Sequence, residues 1–232
     1  MSDIADAHRS PLPHGTARSE SLTGTVDVDF PEFLAPPPEP MPLLTAWLAA
    51  CDAQGVREPR ALALATADAR GRTSSRVVVL TSVTVAGLVF TSHADSRKGR
   101  DLAAVPWASG VLYWRETSRQ VTVAGPVRRL PDADAGALWD ARPVFTHAMS
   151  TLSRQSRPLR DLTHVDELRA RARALGDEAR PLPRPSAYTA YRLEPAVVEF
   201  WSNGTDRLHE RLRYERAGDP ATGPWTASRL QP

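Results

Sequence analysis

The chain has 232 residues, 41% hydrophobic and 24% charged, with a formal net charge of +2, enough for one ordinary domain with some tail to spare. Its 29 Lys+Arg and 27 Asp+Glu nearly balance and form no contiguous basic tract, which argues against a nucleic-acid partner. A single cysteine, Cys51, excludes an intrachain disulfide, no Cys/His cluster points to a metal site, and no apolar stretch reaches the ~18–20 residues that span a bilayer.

The first residues, Met-Ser-Asp-Ile-Ala-Asp, lack a basic segment followed by an apolar core, so a cytoplasmic location is expected. Residues 1–41 are polar and broken by Pro11, Pro13, Pro31, Pro36, Pro37, Pro38 and Pro40. Such a segment builds no core and is expected to be disordered or draped over the domain formed by residues 42–232. Pro42 suits a helix start, Leu43, Leu44, Trp47, Leu48 and Cys51 recur at helical spacing, and Gly55 suits the stop.

From Ala61 the pattern changes to short runs rich in Val, Leu, Thr and aromatics. Strands are predicted at Ala61–Ala67, Ser75–Leu80, Leu88–Ser92, Gly110–Trp114 and Gln120–Val127, with hairpin connections at Asp68–Gly71 and Ala86-Gly87. Helical patterns follow around Asp132–Ala141 and from Thr163 to Leu175, where Val165, Leu168, Ala172 and Leu175 share a stripe. After the linker prolines Pro181, Pro183 and Pro185, strands resume at Tyr188–Leu193, Ala196–Trp201, Arg207–Tyr214 and Trp225–Leu230. Many short strands with few helices predict a mainly β fold, a small barrel decorated by helices.

Side chains alternate along a strand, so Arg207, His209 and Arg211 share one face. Three cationic or titratable groups in a row repel one another unless an anion lies over them. Val198-Glu199-Phe200-Trp201 and Trp225 add flat aromatic surface nearby, so a planar anionic ligand fits this face; a solvated arginine row is the plainer alternative. Asp95-Ser96-Arg97-Lys98-Gly99 follows a strand and opens a helix, an arrangement that favours phosphate. Lys98 is also the only lysine, so any Schiff-base chemistry would need it. Ser153-Arg154-Gln155-Ser156-Arg157 is a second polar stretch suited to phosphate, and the Gln120 amide can read the edge of a heterocycle. Taken singly, each of these is more simply a solvated turn or face.

The set gains meaning in its order: Arg76-Val77-Val78-Val79-Leu80, Phe90-Thr91-Ser92, Arg97-Lys98, Arg119-Gln120, Arg142-Pro143, Gln155-Ser156, Glu199-Phe200-Trp201, Arg207-Leu208-His209-Glu210-Arg211 and Arg229-Leu230. This series resembles the pyridoxamine 5′-phosphate oxidase family of flavin enzymes over about residues 56–232. The resemblance implies a split β-barrel that binds FMN at a homodimer interface. It assigns cofactor contacts to Arg76, Val77, Val78, Val79 and Leu80 on one strand, and to Thr91 and Ser92 on the next. Arg97 and Lys98, Gln120, Gln155 and Ser156, and Trp201 and Arg211 complete that set. By the same resemblance Arg207 and His209 face the substrate as catalytic groups, and Thr81, Leu138, Arg142 and Thr146 stand at substrate-binding positions.

At those positions the chain departs from the vitamin oxidases of the family. Thr81 stands where they carry a Lys, Leu138 where they carry a Tyr and Thr146 where they carry a Ser; Arg142 alone is unchanged. Charged hydrogen bonds to phosphate are worth roughly 1.5–3 kcal/mol each, so a phosphorylated vitamin loses most of its hold. The runs from Gly55 to Asp68, Trp107 to Ser118 and Ser150 to Ser156 resemble the phenazine-biosynthesis branch of the family. That branch implies an FMN-dependent oxidase that aromatises a partly reduced phenazine carboxylate, with O2 reoxidising the flavin to give H2O2. The competing readings are a pyridoxine or pyridoxamine 5′-phosphate oxidase and a non-catalytic flavin-binding split barrel.

Overall fold

Burial alternates along the strands and sets the architecture. Leu62 and Leu64 are fully buried between outward-facing alanines, Val78 and Leu80 point inward between exposed Val77 and Val79, and Val121 and Val123 are buried between half-exposed neighbours. The computed structural model describes residues 25–26, 28–177, 179–203, 209–220 and 222–232. Among them, the elements run α1 (Pro40–Ala53), β1 (Ala61–Ala67), β2 (Thr73–Thr84), β3 (Gly87–His93), α2 (Arg97–Ala104), β4 (Trp107–Trp114) and β5 (Arg119–Arg129). There follow α3 (Asp132–Asp140), α4 (His147–Leu152), α5 (Thr163–Gly176), β6 (Tyr188–Leu193), β7 (Val197–Ser202), β8 (Glu210–Arg216) and β9 (Trp225–Leu230).

The strands pair antiparallel in the order β4-β1-β2-β3-β6-β5, and β4 also pairs with β5, which closes a six-stranded barrel. Closure removes the sheet edges that would otherwise invite foreign pairing. One edge of β5 is shared: residues 127–129 pair with β6, and residues 119–124 pair with β7. From there β8 and β9 extend the sheet out of the barrel. Gly125 sits at the fork, where a Cβ would meet the Glu194 carbonyl oxygen at 2.1 Å.

The core runs through the barrel and beneath α1. Trp47 on α1 packs edge-on against Phe30 and Phe200, with ring centroids 4.9 and 5.0 Å away, and lies 6.2 Å from Trp114. Such side chains contribute roughly 1.5–3 kcal/mol each on burial. Cys51 is part of this core, and burial pushes its thiol up to about 11, so it packs as a small apolar residue. Residues 28–39 lie against the barrel. Phe30 is buried, Tyr214 Oη donates to the Pro37 carbonyl at 3.0 Å, and the Arg229 guanidinium donates to the Phe33 and Leu34 carbonyls. The part of the expected tail before residue 25 lies outside the described residues.

The mainly β architecture is as expected, and the structure corrects the bounds of several elements. The first helix begins at Pro40 rather than Pro42, and β2 runs on to Thr84 through a bulge between Leu80 and Ser82. The strand expected from Arg207 to Tyr214 is β8, which spans Glu210–Arg216; Arg207 itself lies outside the described residues. The short helix α4 was unanticipated, because six residues are too few to show a helical period. No helix among the described residues is long and apolar enough to cross a membrane.

Candidate functional site

At the end of β3 the chain turns sharply into α2. Ser96 caps the helix, its Oγ accepting from the Gly99 N–H at 3.2 Å. Gly99 is required there, since a Cβ would meet the Ala94 carbonyl oxygen at 2.3 Å. The first helical turn thus stands beside the side chains of Arg97 and Lys98, its Gly99 N–H held by the Ser96 hydroxyl and its Arg100 N–H by the Ser96 carbonyl. Lys98 Nζ donates to Ser92 Oγ at 2.9 Å and to Gln155 Oε1 at 3.4 Å, and Ser156 Oγ accepts from the Arg97 N–H at 3.1 Å. Ser156 holds a left-handed backbone, φ 65°, an unusual conformation for a residue with a Cβ.

Arg76 on β2 joins this cluster from below. Its guanidinium donates to Thr66 Oγ1 at 2.8 Å, to Ser74 Oγ at 2.5 Å and to the Leu64 carbonyl at 3.3 Å. Asp101 on α2, 5% exposed, accepts from Thr66 and Ser74 at 2.7 and 3.1 Å and lies 3.9 Å from Arg76. Burial lowers the pKa of Lys98, and the nearby Arg76 charge lowers it further. Burial also lowers that of Arg76, with Asp101 opposing and Arg97 adding to the shift. The Lys98 ammonium is therefore partly buried against neutral acceptors, a state that a multiply charged anion would relieve.

Arg142 stands in the connection after α3. It donates through Nε to Thr146 Oγ1 and through Nη2 to Ser150 Oγ, each at 3.2 Å, and its Cζ lies 5.8 Å from the Trp139 ring and 5.4 Å from the Tyr188 ring. Its acceptors, like those of Lys98, are neutral. The buried His93 imidazole feels the charge of both cations. Burial lowers its pKa, Asp95 opposes, and the charges of both Lys98 and Arg142 lower it further.

A second group of expected site residues forms one row across the outer sheet. Gln120 on β5, Trp201 on β7 and Arg211 on β8 are successive register partners, so their side chains share a face. The Trp201 ring packs 4.9 Å from that of His209, tilted by 44°. Arg211 Nε and Nη2 both meet Glu199 Oε1, at 2.8 and 2.7 Å, and Nη1 donates to the Gln231 carbonyl at 3.0 Å. The anion required over this cationic strand is thus supplied in part by the chain itself. No hydrogen bond or ion pair among the described residues joins this row to the Arg76–Lys98 cluster.

The remaining expected residues divide by face. Val77 and Val79 are 64% and 67% exposed on the outer wall, where Trp107 and Tyr113 are exposed as well, while Val78 and Leu80 are buried in the core and Thr91 is half-buried. Thr81 occupies the β2 bulge, and its hydroxyl donates to the Val89 carbonyl at 3.1 Å. Leu138, half-buried, packs against a small second core of Val89, Leu130, Ala135 and Ala190.

Residues 48–202 match the family model described as pyridoxamine 5′-phosphate oxidase, and residues 188–232 match that of the pyridoxine 5′-phosphate oxidase C-terminal dimerisation region. The chain belongs to the pyridoxamine 5′-phosphate oxidase family. Within that family it falls in the phenazine-biosynthesis branch. It is 50% identical to a dihydrophenazinedicarboxylate synthase of Pseudomonas chlororaphis, over 94% of this chain and 95% of the relative. A pyridoxine/pyridoxamine 5′-phosphate oxidase of Nitrobacter winogradskyi is 39% identical over 84% and 90%. Among solved structures, PhzG from Burkholderia lata in complex with tetrahydrophenazine-1-carboxylic acid superposes with a TM-score of 0.84 at 49% identity, covering 90% of this chain and all of that one. A related FMN-binding protein of Nostoc punctiforme matches at TM-score 0.67 and 18% identity, over 84% of this chain and 98% of the other; this match speaks to the fold alone.

Two buried carboxylates hold the arginines, a role that the motif series does not give to Glu199 or Asp101. Asp101 anchors Arg76 and Glu199 anchors Arg211, and neither carries a local signal. The partners of Asp101 lie 27 and 35 residues away in the chain, and Glu199 reaches Arg211 only through the β7–β8 register. Trp139 and Tyr188, which flank Arg142, were likewise invisible until α3 and β6 came together.

Proposed function

We propose that the chain is an FMN-dependent oxidase that aromatises a partly reduced phenazine carboxylate as a homodimer. The observation that carries this reading is the pair of partly buried cations, Lys98 and Arg142, each hydrogen-bonded only to neutral acceptors. One suits a cofactor phosphate and the other a substrate carboxylate.

The residues fit FMN. Arg97, Lys98, Arg76 and the first turn of α2 would hold its phosphate, while Gln120 and Trp201 offer an amide edge and a flat apolar face to its ring. When bound, FMN supplies a two-electron acceptor that O2 regenerates with formation of H2O2. Arg211, fixed by Glu199, brings positive charge next to Trp201, which favours an electron-rich ring there. Arg142 orients the substrate through its carboxylate, so that loss of two electrons and two protons restores aromaticity. His209, packed on Trp201, is placed to accept one of those protons; Arg207 would add a second carboxylate contact.

Within one chain the Arg76–Lys98 cluster and the Gln120–Trp201–Arg211 row lie on different parts of the sheet. A two-fold pairing through the apolar outer wall of Val77, Val79, Trp107 and Tyr113 would bring one copy's cluster to the other's row. The family match of residues 188–232 to a dimerisation region supports this arrangement. A phosphorylated vitamin is the weaker substrate, because the Thr81 hydroxyl is committed to the sheet.

The test is a visible spectrum followed by turnover. Purified protein should carry releasable FMN and oxidise a dihydrophenazine carboxylate aerobically with matching peroxide formation. Failure to take up FMN, or faster turnover of pyridoxamine 5′-phosphate than of the phenazine, would overturn the proposal.

A further inference from the structure

Phe145 is 83% exposed and Met149 42% exposed. Both lie on a continuous helical run, the 3₁₀ turn Val144–Thr146 leading directly into α4. The buried side of that run is occupied by His147, stacked 4.2 Å from Trp139, and by Ala148. A second side carries Thr146 and Ser150, four residues apart, whose hydroxyls accept from Arg142. Phe145 and Met149 are also four residues apart, and each precedes one of those hydroxyl residues by one position. At about 100° per residue, the two pairs form neighbouring stripes.

The result is a guanidinium held by hydroxyls along one stripe, with exposed aromatic and thioether surface along the next. This pairing of charge and apolar area complements a flat ring bearing a carboxylate. Leu138, which the family resemblance puts at a substrate-binding position, is half-buried against the second core of Val89 and Ala190. Phe145 and Met149 offer the more exposed apolar area beside the Arg142 stripe.

We propose that Phe145 and Met149 form the apolar wall that reads the ring system of the substrate whose carboxylate binds Arg142, and that they set the preference for a tricyclic ring over a single ring. The inference rests on the function proposed above and names the specificity determinant of that site. Covering a phenylalanine of this exposure with substrate is worth on the order of a tenfold affinity change or more.

The test uses the flavin-loaded full chain. Phe145→Ala should raise KM for a dihydrophenazine carboxylate about tenfold, and Met149→Ala should raise it by a smaller factor. FMN affinity, melting temperature and elution volume should stay as in the unaltered protein, and Phe145→Trp should restore most of the lost affinity. The inference is overturned if the double alanine variant keeps the original KM, if Phe145→Ala lowers the melting temperature, or if it dissociates the dimer, which would make the patch a contact between copies. If the unaltered protein neither binds nor oxidises any phenazine carboxylate, the functional reading itself fails first. An active unaltered protein with an unaffected double variant sinks only the wall.

Discussion

The two halves of the candidate site are held in place by different physics. Around Arg76 and Lys98, position comes from a closed hydrogen-bond network in which a buried Asp101 ties β1, β2 and α2 together. Along Gln120, Trp201 and Arg211, position comes from strand register, with Glu199 as a carboxylate brace. The first half stands or falls with a few short polar side chains; the second tolerates side-chain change as long as the ladder holds. A buried ionic network is costly to break in part, because it leaves uncompensated charge, whereas a register is shared among many backbone bonds.

If the halves come from different copies, crossing two defective variants gives the largest effect. Lys98→Met and Trp201→Ala should each bind little FMN, and a refolded mixture should recover about a quarter of the flavin sites, since half the dimers are mixed and each holds one intact site. No recovery would show that both halves act within one chain. Next in size is Asp101→Ala. It should cost about 3 kcal/mol in urea unfolding, because Thr66 and Ser74 lose a buried acceptor and Arg76 loses its counter-charge; a loss below about 1 kcal/mol would remove the network from the account.

Glu199→Gln keeps the shape of the brace but removes its charge. A loss of about 1 kcal/mol is expected, with a shifted visible spectrum of bound FMN and unchanged phosphate-end affinity; an unchanged spectrum would separate Arg211 from the flavin. The smallest effect is a pH dependence at Lys98. Burial lowers its pKa from the ordinary 10.5, so between the lowered value and 10.5 the unfolded chain binds more protons than the folded one. Stability of the flavin-free protein should therefore rise with pH across that window, and the rise should vanish in Lys98→Met. Phosphate binding favours the ammonium, so FMN uptake there should draw in a proton, readable with an indicator dye; proton release would contradict the assignment.

Much of this was legible in the chain because it is local. The alternation of Leu62 and Leu64 with alanines, and of Val121 and Val123 with polar neighbours, sets strand faces without reference to any other element. Ser96 ahead of Arg97 and Lys98 announces a capped, cationic helix start in the same way, and the ordered motifs carried the family. The bulge at Thr81 and the packing of Leu138 against a second core were not legible, since both depend on how β2, β3 and α3 meet. Likewise, Asp101 and Glu199 look like ordinary surface carboxylates until folding buries them beside an arginine. Period and capping are encoded within a few residues, so the sequence alone determined the strands, the barrel class and the cationic motifs. Which carboxylate braces which arginine, and which apolar side chains stay free beside Arg142, was decided only by tertiary structure, because those pairings join residues that the chain keeps far apart.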